Sequence, residues 1–355
     1  MVRSEMDQVV GFCKGQAGRI AYATVGEGSP LLFPAWWVSH LELTWANEQF
    51  RAFIEALAAR HTVIRYDPIG SGLSERHRAE EDFCLEAELE VLDRLFEHLG
   101  LERCSLFGFS MGGPLAISFA AARPERVKRL ILYGTYADGS KITNAETRRA
   151  LSDLTREHSD FGSRMLTSLF LPPTEPEEAR WLVELLRTAA DANTTARLLS
   201  LSFELDASSS LPGVVAPTLV LHRRHDRNIP YKLGVELAAG IPGASFQTLE
   251  GELHLPWLGD TASLLAATAE FTRLGPYSLP GTQGEEVART ARETLSGREL
   301  EVLGLIAAGL SDREIAEQLV LSPHTVHRHA ANVRAKLGQA SRAGAVAEAN
   351  RLGLI

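Results

Sequence analysis

The sequence has little cysteine: Cys13, Cys84 and Cys104 are far apart among 355 residues and form no CxxC pair. Neither a disulfide framework nor a thiolate zinc site is therefore indicated, and nothing else in the sequence supports a metal or a cofactor. No apolar run approaches the ~20 residues needed to cross a bilayer. The first ten residues, MVRSEMDQVV, lack the apolar core of a signal peptide. We expect a cytoplasmic protein with no membrane partner.

The composition gives no sign of disorder. It is 45% hydrophobic and 23% charged, which is typical of a folded soluble protein. At about 150 residues per domain, the length predicts two domains. A chain of this length can bury a large core without covalent cross-links.

The net charge of −9 at first argues against a nucleic-acid partner. The charge is uneven, because the residues from Glu285 onward carry nine basic and nine acidic side chains. Between Ser322 and Gly338 there is no acidic residue, but there are three histidines and three lysines or arginines. An acidic average can hide a local basic helix, so the net charge does not exclude DNA binding.

The first 275 residues alternate short apolar runs with longer segments of helical periodicity. The runs are apolar on both faces, which predicts strands buried in a parallel sheet. They lie at 31–33, 62–66, 104–109, 130–134 and 218–222. The helical segments between the first four of them are 50–59, 83–99 and 111–122. This alternation predicts an α/β fold with a doubly wound, mostly parallel sheet.

The alternation stops between Asp138 and Leu211, where the pattern is helical and no convincing strand occurs. We interpret this segment as a helical cap inserted over the C-terminal edge of the sheet. Its predicted helices are 146–158, 161–170, 176–190 and 193–206. Residues 276–292 are rich in Gly, Pro and polar side chains and are predicted to form a linker.

Residues 108–112, GFSMG, have the G-x-S-x-G spacing of a nucleophile elbow. The flanking glycines are needed because the strained turn brings the strand and the following helix close together. A serine hydroxyl also needs a histidine base that a carboxylate orients. Asp226 and His254 follow Ser110 at the ends of later strands, in the order expected for an α/β-hydrolase. Each alone would more often be structural, but the three together predict a catalytic triad.

The chain resembles the α/β-hydrolase superfamily over about residues 15–275. Residues 66–74, YDPIGSGLS, are similar to its D-x-x-G-x-G-x-S loop, and LHRRHDRNIP and GELH are similar to its acid and histidine blocks. Many members carry His-Gly after the third strand, where this chain has FPAWWVSH. The oxyanion donors are main-chain amides and do not require particular side chains. We place them at Met111 and Trp37, with Trp36 as the alternative to Trp37.

Residues 293–355 carry clear helix start and stop signals. Capping boxes at 296–299 and 311–314 and the pair Ser322-Pro323 mark helix starts. The predicted helices are about 297–308, 312–319, 323–337 and 342–352. Only three residues join the second and third, which is a helix-turn-helix spacing. The third helix presents Arg, His, Asn and Thr and no acid, so it can enter a major groove of double-stranded DNA.

This segment closely resembles the LuxR-type DNA-binding domain, on the block LSGRELEVLGLIAAGLSDREIAEQLVLSPHTVHRHAANVRAKLG. The resemblance implies that the third helix reads DNA and that the fourth forms a dimer. It implies base-reading positions at His327, Arg328 and Ala331, and phosphate neighbours at Thr325, Asn332 and Lys336. His327 stands where the family usually has lysine, which lowers the attraction to phosphate near neutral pH.

These features predict a transcription regulator whose hydrolase-fold domain senses a small ester-, lactone- or amide-like ligand, and the triad favours serine hydrolase chemistry. A homodimer would match two DNA-reading helices to a two-fold site. The alternative is an active esterase or lactonase whose helix-turn-helix module only localises or autoregulates it. A third possibility is a receptor whose triad only clamps the ligand.

Overall fold

The computed structural model describes residues 6–157, 159–273, 295–307, 310–336 and 342–351. These residues divide into two compact units, one ending at Arg273 and the other beginning at Leu295. The predicted linker, 276–292, lies outside the described residues.

The described residues of the first unit form an eight-stranded sheet. Its strands are β1 (Val9–Gly15), β2 (Gly18–Val25), β3 (Ser29–Leu32), β4 (His61–Tyr66), β5 (Cys104–Phe109), β6 (Val127–Tyr133), β7 (Thr218–Arg223) and β8 (Ser245–Leu249). Their order is β1-β2-β4-β3-β5-β6-β7-β8. The pairs β1·β2 and β2·β4 are antiparallel, and the other five are parallel. The mostly parallel sheet predicted from the sequence is confirmed.

The strands that carry the site are the most deeply buried. Every residue of β5 and β7 is buried, which explains why the sequences of these strands are mostly apolar on both faces. The hairpin of β1 and β2 was not predicted. Its strands contain glycine and charged residues, but the two-residue connection Gln16-Ala17 between Gly15 and Gly18 was a hairpin signal.

Ten helices belong to the described residues of this unit. They are α1 (Leu41–Ala46), α2 (Glu48–Ala58), α3 (Leu85–His98), α4 (Gly112–Ala122), α5 (Ala145–Glu157), α6 (Ser159–Phe170), α7 (Pro176–Ala189), α8 (Ala192–Glu204), α9 (Tyr231–Gly240) and α10 (Thr261–Arg273). The four helices α5–α8 lie between β6 and β7, where the sequence predicted a cap. Their ends differ from the predicted ones by at most two residues, within the usual uncertainty of helix termini.

Helix α7 is fixed to the body by polar contacts with α1 and α2. The indole Nε1 of Trp181 donates to the Leu43 carbonyl at 3.1 Å. The amide of Asn47 donates to both carboxylate oxygens of Glu178, at 3.1 and 3.0 Å. Burial raises the pKa of the Glu178 carboxyl, against the lowering effect of Asn47. These contacts hold the cap side chains of α7 over the sheet.

The described part of the second unit consists of α11 (Gly297–Ala307), α12 (Asp312–Leu319), α13 (Pro323–Lys336) and α14 (Arg342–Arg351). The capping box before α12 is formed: Glu314 donates its N–H to Ser311 Oγ, and its carboxylate accepts the N–H of Ser311. Two small apolar clusters join the helices, one around Val302, Ile315 and Val326 and the other around Leu303 and Val333.

The turn between α12 and α13 contains a strained residue. Val320 has φ 54° and ψ 50°, in the left-handed region, and its side chain is 90% exposed. A β-branched residue is costly there, and no burial of the side chain offsets the cost.

We therefore expect Val320→Asn to stabilise α12 and α13 by about 1 kcal/mol, because asparagine tolerates this conformation. Hydrogen exchange of the α12 amides in the full chain would slow by about fivefold. Val320→Thr keeps the branched Cβ and serves as the control with unchanged exchange. Equal exchange in the wild type and Val320→Asn would contradict the strain argument.

Candidate functional site

Ser110 lies at the turn between β5 and α4 with φ 51°, a left-handed conformation. The turn leaves no room for side chains at the neighbouring glycines. A Cβ on Gly108 would lie 2.9 Å from the Cα of Gly113, and one on Gly112 would lie 2.9 Å from the Pro34 carbonyl oxygen. The geometry is therefore the strand-to-helix elbow that the G-x-S-x-G spacing predicts.

Asp226 follows β7, and His254 follows β8. The two side chains are fully buried, and His254 Nδ1 lies 2.8 Å from Asp226 Oδ2. The other carboxylate oxygen accepts the N–H groups of Asn228 at 2.9 Å and Ile229 at 3.0 Å. Burial by itself would raise the pKa of Asp226, but His254 and the other partners outweigh it, so the pKa is lowered.

An ionised carboxylate can only accept hydrogen bonds, so we assign the imidazole proton to Nδ1. This leaves the Nε2 atom of His254 with its lone pair. Nε2 is buried and has no hydrogen-bond partner in the described ranges. His254 and Ser110 line the same cavity.

Gly134, directly after β6, makes room for this pair. It has φ 52°, and a Cβ there would lie 3.2 Å from Asp226 Oδ2 and 3.3 Å from His254 Cε1. The sequence analysis did not identify it. A glycine directly after a buried apolar run was the available signal.

Two consecutive residues at the end of β7 hold the loops that carry Asp226 and His254. His222 Nε2 donates to the Ile229 carbonyl at 3.0 Å, within the Asp226 loop. The buried guanidinium of Arg223 donates to the carbonyls of Leu253, Leu255 and Leu258, on both sides of His254. The sequence alone does not reveal the role of Arg223, because its partners are about 30 residues away and cannot be found from local pattern.

The structure places Met111 and Trp37 beside Ser110. Met111 directly precedes α4. Trp36, Trp37 and Met111 line the cavity together with Ser110. Among the described residues, the Met111 and Trp37 main-chain amides have no protein acceptor. Neither amide is therefore committed to an acceptor within the described ranges.

Asp67 fixes the loop between β3 and α1, which carries these tryptophans. Its carboxylate accepts the Ser39 hydroxyl at 2.6 Å and the N–H groups of Leu41 at 3.1 Å and Leu73 at 2.9 Å. Burial raises the pKa of the Asp67 carboxyl, against the lowering effect of these bonds. The aspartate of the D-x-x-G-x-G-x-S loop is thus a structural residue.

The cavity has a volume of about 340 Å³ and is lined mainly by apolar side chains from the body and the cap. Its aromatic residues are Trp36, Trp37, Phe109, Tyr136, Phe170, Trp181, Phe203 and Trp257. The cap contributes Leu151, Leu169, Phe170, Trp181 and Leu185 to the lining. Such a cavity, with few polar groups, is typical of small-molecule sites.

In the second unit, α13 is amphipathic in the predicted register. Val326, Ala330 and Val333 are buried. His324, His327, Arg328 and Asn332 are exposed, and Thr325 and Ala331 are half-buried on the same helix. The residues proposed to read bases are therefore accessible within this unit.

Lys336, which the resemblance places near phosphates, also makes a contact within the unit. Its ammonium lies 3.0 and 2.7 Å from the two oxygens of Glu299, whose side chain is almost completely buried. Burial opposes ionisation of Glu299, but Lys336 and Ser296 outweigh it and lower the pKa of the carboxyl. The charge of Lys336 is thus paired with an acid of its own unit, while its side chain stays about one-third exposed. Asp312 pairs in the same way with Arg342, at 2.6 Å, and lies 3.5 Å from His327 Nδ1.

Three or more metal-ligating side chains do not cluster anywhere in the described ranges. A bilayer-spanning helix is likewise not found in the part of the chain that the structure describes.

Removing the Arg223 guanidinium would leave buried carbonyls around His254 without donors. We expect Arg223→Met to lower the free energy of unfolding of the first unit by about 3 kcal/mol. All five tryptophans belong to this unit, so urea unfolding followed by tryptophan fluorescence reports on it alone. Arg224→Met is the matched control, because Arg224 is exposed and its side-chain contacts in the described part of the chain are an ion pair with exposed Glu250 and the face of the Tyr231 ring. Equal destabilisation by both variants would contradict the proposed role of Arg223.

In the comparisons with known proteins, each of the two units matches a family model. A family model of the alpha/beta hydrolase fold matches residues 33–260, and a model of bacterial regulatory proteins, luxR family, matches residues 293–349.

Relatives of the first unit are hydrolases. A 2-hydroxy-6-oxononadienedioate/2-hydroxy-6-oxononatrienedioate hydrolase of Cupriavidus pinatubonensis is 33% identical over 56% of this chain and 72% of its own length. A putative carbamate hydrolase, RutD, of Azorhizobium caulinodans is 27% identical over 68% of this chain and 91% of its own length. The structure of an enol-lactonase from Burkholderia xenovorans covers 74% of this chain and all of its own with a TM-score of 0.64, and at 22% identity it shows the fold alone. The chain belongs to the alpha/beta hydrolase fold family and carries a LuxR-type helix-turn-helix domain after its hydrolase-fold domain.

Proposed function

We propose that this chain is a ligand-responsive transcription regulator. In this proposal the LuxR-type domain binds double-stranded DNA, and the hydrolase-fold domain binds a small ester-, lactone- or amide-like compound beside Ser110. The observation that carries the proposal is an apolar cavity holding an elbow serine and a carboxylate-paired histidine, on the same chain as a DNA-binding module. A cavity of this kind can recognise a carbonyl compound, and the DNA-binding domain on the same chain lets ligand binding affect DNA binding.

The ligand acts through thermodynamic linkage between its own binding and the binding of DNA. A ligand changes DNA affinity only if it binds one arrangement or oligomeric state of the protein better than another. A homodimer supplies such a state, because two α13 helices would match the two halves of a two-fold DNA site. The dimer is part of the proposal, with α14 as its proposed interface.

The same site supports serine hydrolase chemistry, which is the second candidate function. Ser110 Oγ attacks the carbonyl carbon, and His254 Nε2 takes the serine proton while Asp226 stabilises the imidazolium. The amides of Met111 and Trp37 stabilise the oxyanion. His254 then protonates the leaving group, and water releases the acyl group from Ser110 by the same steps in reverse. The free Nε2 atom of His254 is the observation that favours this candidate.

On DNA, the exposed face of α13 makes the contacts. We assign base reading to His327, Arg328 and Ala331, and phosphate contacts to Thr325 and Asn332. Lys336 helps instead by holding Glu299 and thereby fixing α13 to α11. Because His327 replaces the family's lysine, the monomer lacks one cation near the phosphates.

Covalent labelling of Ser110 separates the two candidates. A biotinylated fluorophosphonate should label the full-length wild type and not Ser110→Ala, because the reagent needs an activated serine. If the regulator proposal holds, labelling changes affinity for a DNA fragment selected by the wild type by at least about fivefold, within the usual range of coupling energies. The same treatment of Ser110→Ala, which should not react, is the control.

Labelling without a change in DNA affinity would favour the enzyme whose DNA module only localises it. Absence of labelling in folded protein would exclude the proposed hydrolytic chemistry and leave a receptor that only clamps its ligand.

The charge at position 327 should set the strength of DNA binding. We expect His327→Lys to tighten binding of the selected fragment at neutral pH and to steepen the dependence of log affinity on log salt by about 1, because one more phosphate is neutralised. A salt titration by fluorescence anisotropy would measure both. His77→Lys, at an exposed position of the first unit, adds the same charge elsewhere and should leave the slope unchanged. An unchanged slope for His327→Lys would place residue 327 away from the backbone.

A further inference from the structure

The cavity beside Ser110 offers no free positive charge. Apart from His254, the charged side chains among its described lining residues are Asp226 and Arg227. Asp226 is buried against His254, so its negative charge lies next to the imidazole that lines the cavity. Arg227 is about one-third exposed and lies 3.6 Å from the carboxylate of Glu252. A carboxylate inside the cavity would lose its hydration, would meet Asp226 and would find no unpaired cation.

The walls are flat aromatic surfaces in fixed orientations. The Trp37 ring is nearly parallel to Phe170, at 18° and 5.8 Å between centroids. The His254 ring lies 5.0 Å from Phe109 and 5.9 Å from Phe170. Trp181 and Trp257 meet at 87°. A planar ring can pack against such walls by offset or edge-to-face contact, so the shape favours an aromatic ligand.

Two hydrogen-bond donors of the lining have no acceptor. The indole Nε1 atoms of Trp37 and Trp257 are buried, and neither has a hydrogen-bond partner among the described residues. Both side chains are more than nine-tenths buried. An indole N–H can only donate, and a buried donor without a partner is unfavourable. A ligand that supplies an uncharged acceptor would remove this cost.

We infer that the ligand is an uncharged ester, lactone or amide that bears an aryl ring and a second oxygen acceptor besides the reacting carbonyl. The reacting carbonyl lies at Ser110, the aryl ring packs among the tryptophans and Phe170, and the second oxygen accepts from the indole N–H of Trp37 or Trp257. This inference rests on the proposed ligand site beside Ser110. It separates this chain from the relatives named for dioate substrates, whose names denote two carboxylates.

Binding of three esters that share one frame tests the charge of the ligand. The probes are methyl 4-methoxyphenylacetate, methyl 4-methylphenylacetate and methyl 4-carboxyphenylacetate, and the protein is the full-length Ser110→Ala variant, in which the proposed nucleophile is removed. Isothermal titration at neutral pH should show the methoxy ester binding at least about tenfold more tightly than the carboxylate, as expected when burial leaves a charge unpaired. Equal or tighter binding of the carboxylate would overturn the inference.

Two further variants test the second acceptor. Trp37→Phe and Trp257→Phe, each in the Ser110→Ala background, keep a ring and remove the indole N–H. One of them should weaken the methoxy ester by about five- to tenfold, the value of one net hydrogen bond, while the methyl-substituted ester is unchanged. Trp45→Phe, which alters a tryptophan outside the cavity lining, is the control. An unchanged affinity in both cavity variants, or equal losses for both esters, would overturn this part.

These outcomes are independent of the regulator proposal. Selective ester binding with no effect on DNA affinity would contradict regulation and leave the ligand class intact. Absence of binding by all three esters would overturn both the ligand class and the proposed site.

Discussion

The hydrogen bond between His254 and Asp226 is the interaction on which the geometry of the candidate site depends. A buried carboxylate is unstable alone, so two backbone N–H groups and the imidazole share its charge. Gly134 leaves the space for this pair, and Arg223 fixes the carbonyls on both sides of His254. These contacts fix the orientation of the imidazole, whose Nε2 atom has no hydrogen-bond partner among the described residues.

The burial of His254 and Asp226 explains why the site needs a cap. In water, an imidazole and a serine hydroxyl would be solvated and their mutual arrangement would not be fixed. The cap helices cover the sheet with apolar side chains, and the contacts of Asn47 with Glu178 and of Trp181 with Leu43 hold α7 in place. Trp181 therefore serves twice: its N–H anchors the cap, and its ring forms the cavity wall. Occupancy of the cavity and attachment of the cap are physically connected through this residue.

The sequence predicted the parts that local spacing determines. The glycines around Ser110 and the apolar runs of β5 and β7 are local consequences of close packing and burial, so they were readable. The order of Ser110, Asp226 and His254 was readable because strand ends meet at one edge of a parallel sheet. The roles of Arg223, Gly134 and the Lys336–Glu299 pair were not, because each depends on partners far away in sequence. The hairpin of β1 and β2 was missed because its side chains alternate weakly.

The pairing of Lys336 also bears on how a ligand could control DNA binding. The segment from Glu285 onward is electrically neutral as a whole, and Lys336 and Arg342 are paired with acids inside the unit. A single copy therefore presents little net positive charge to phosphates, which supply much of the affinity in protein–DNA complexes. Weak binding by one copy makes tight binding depend on two copies acting together, since joining two weak sites multiplies their effect. A small ligand-dependent change in the dimer would then produce a large change in DNA occupancy, whereas a tightly binding monomer would leave the ligand little to control.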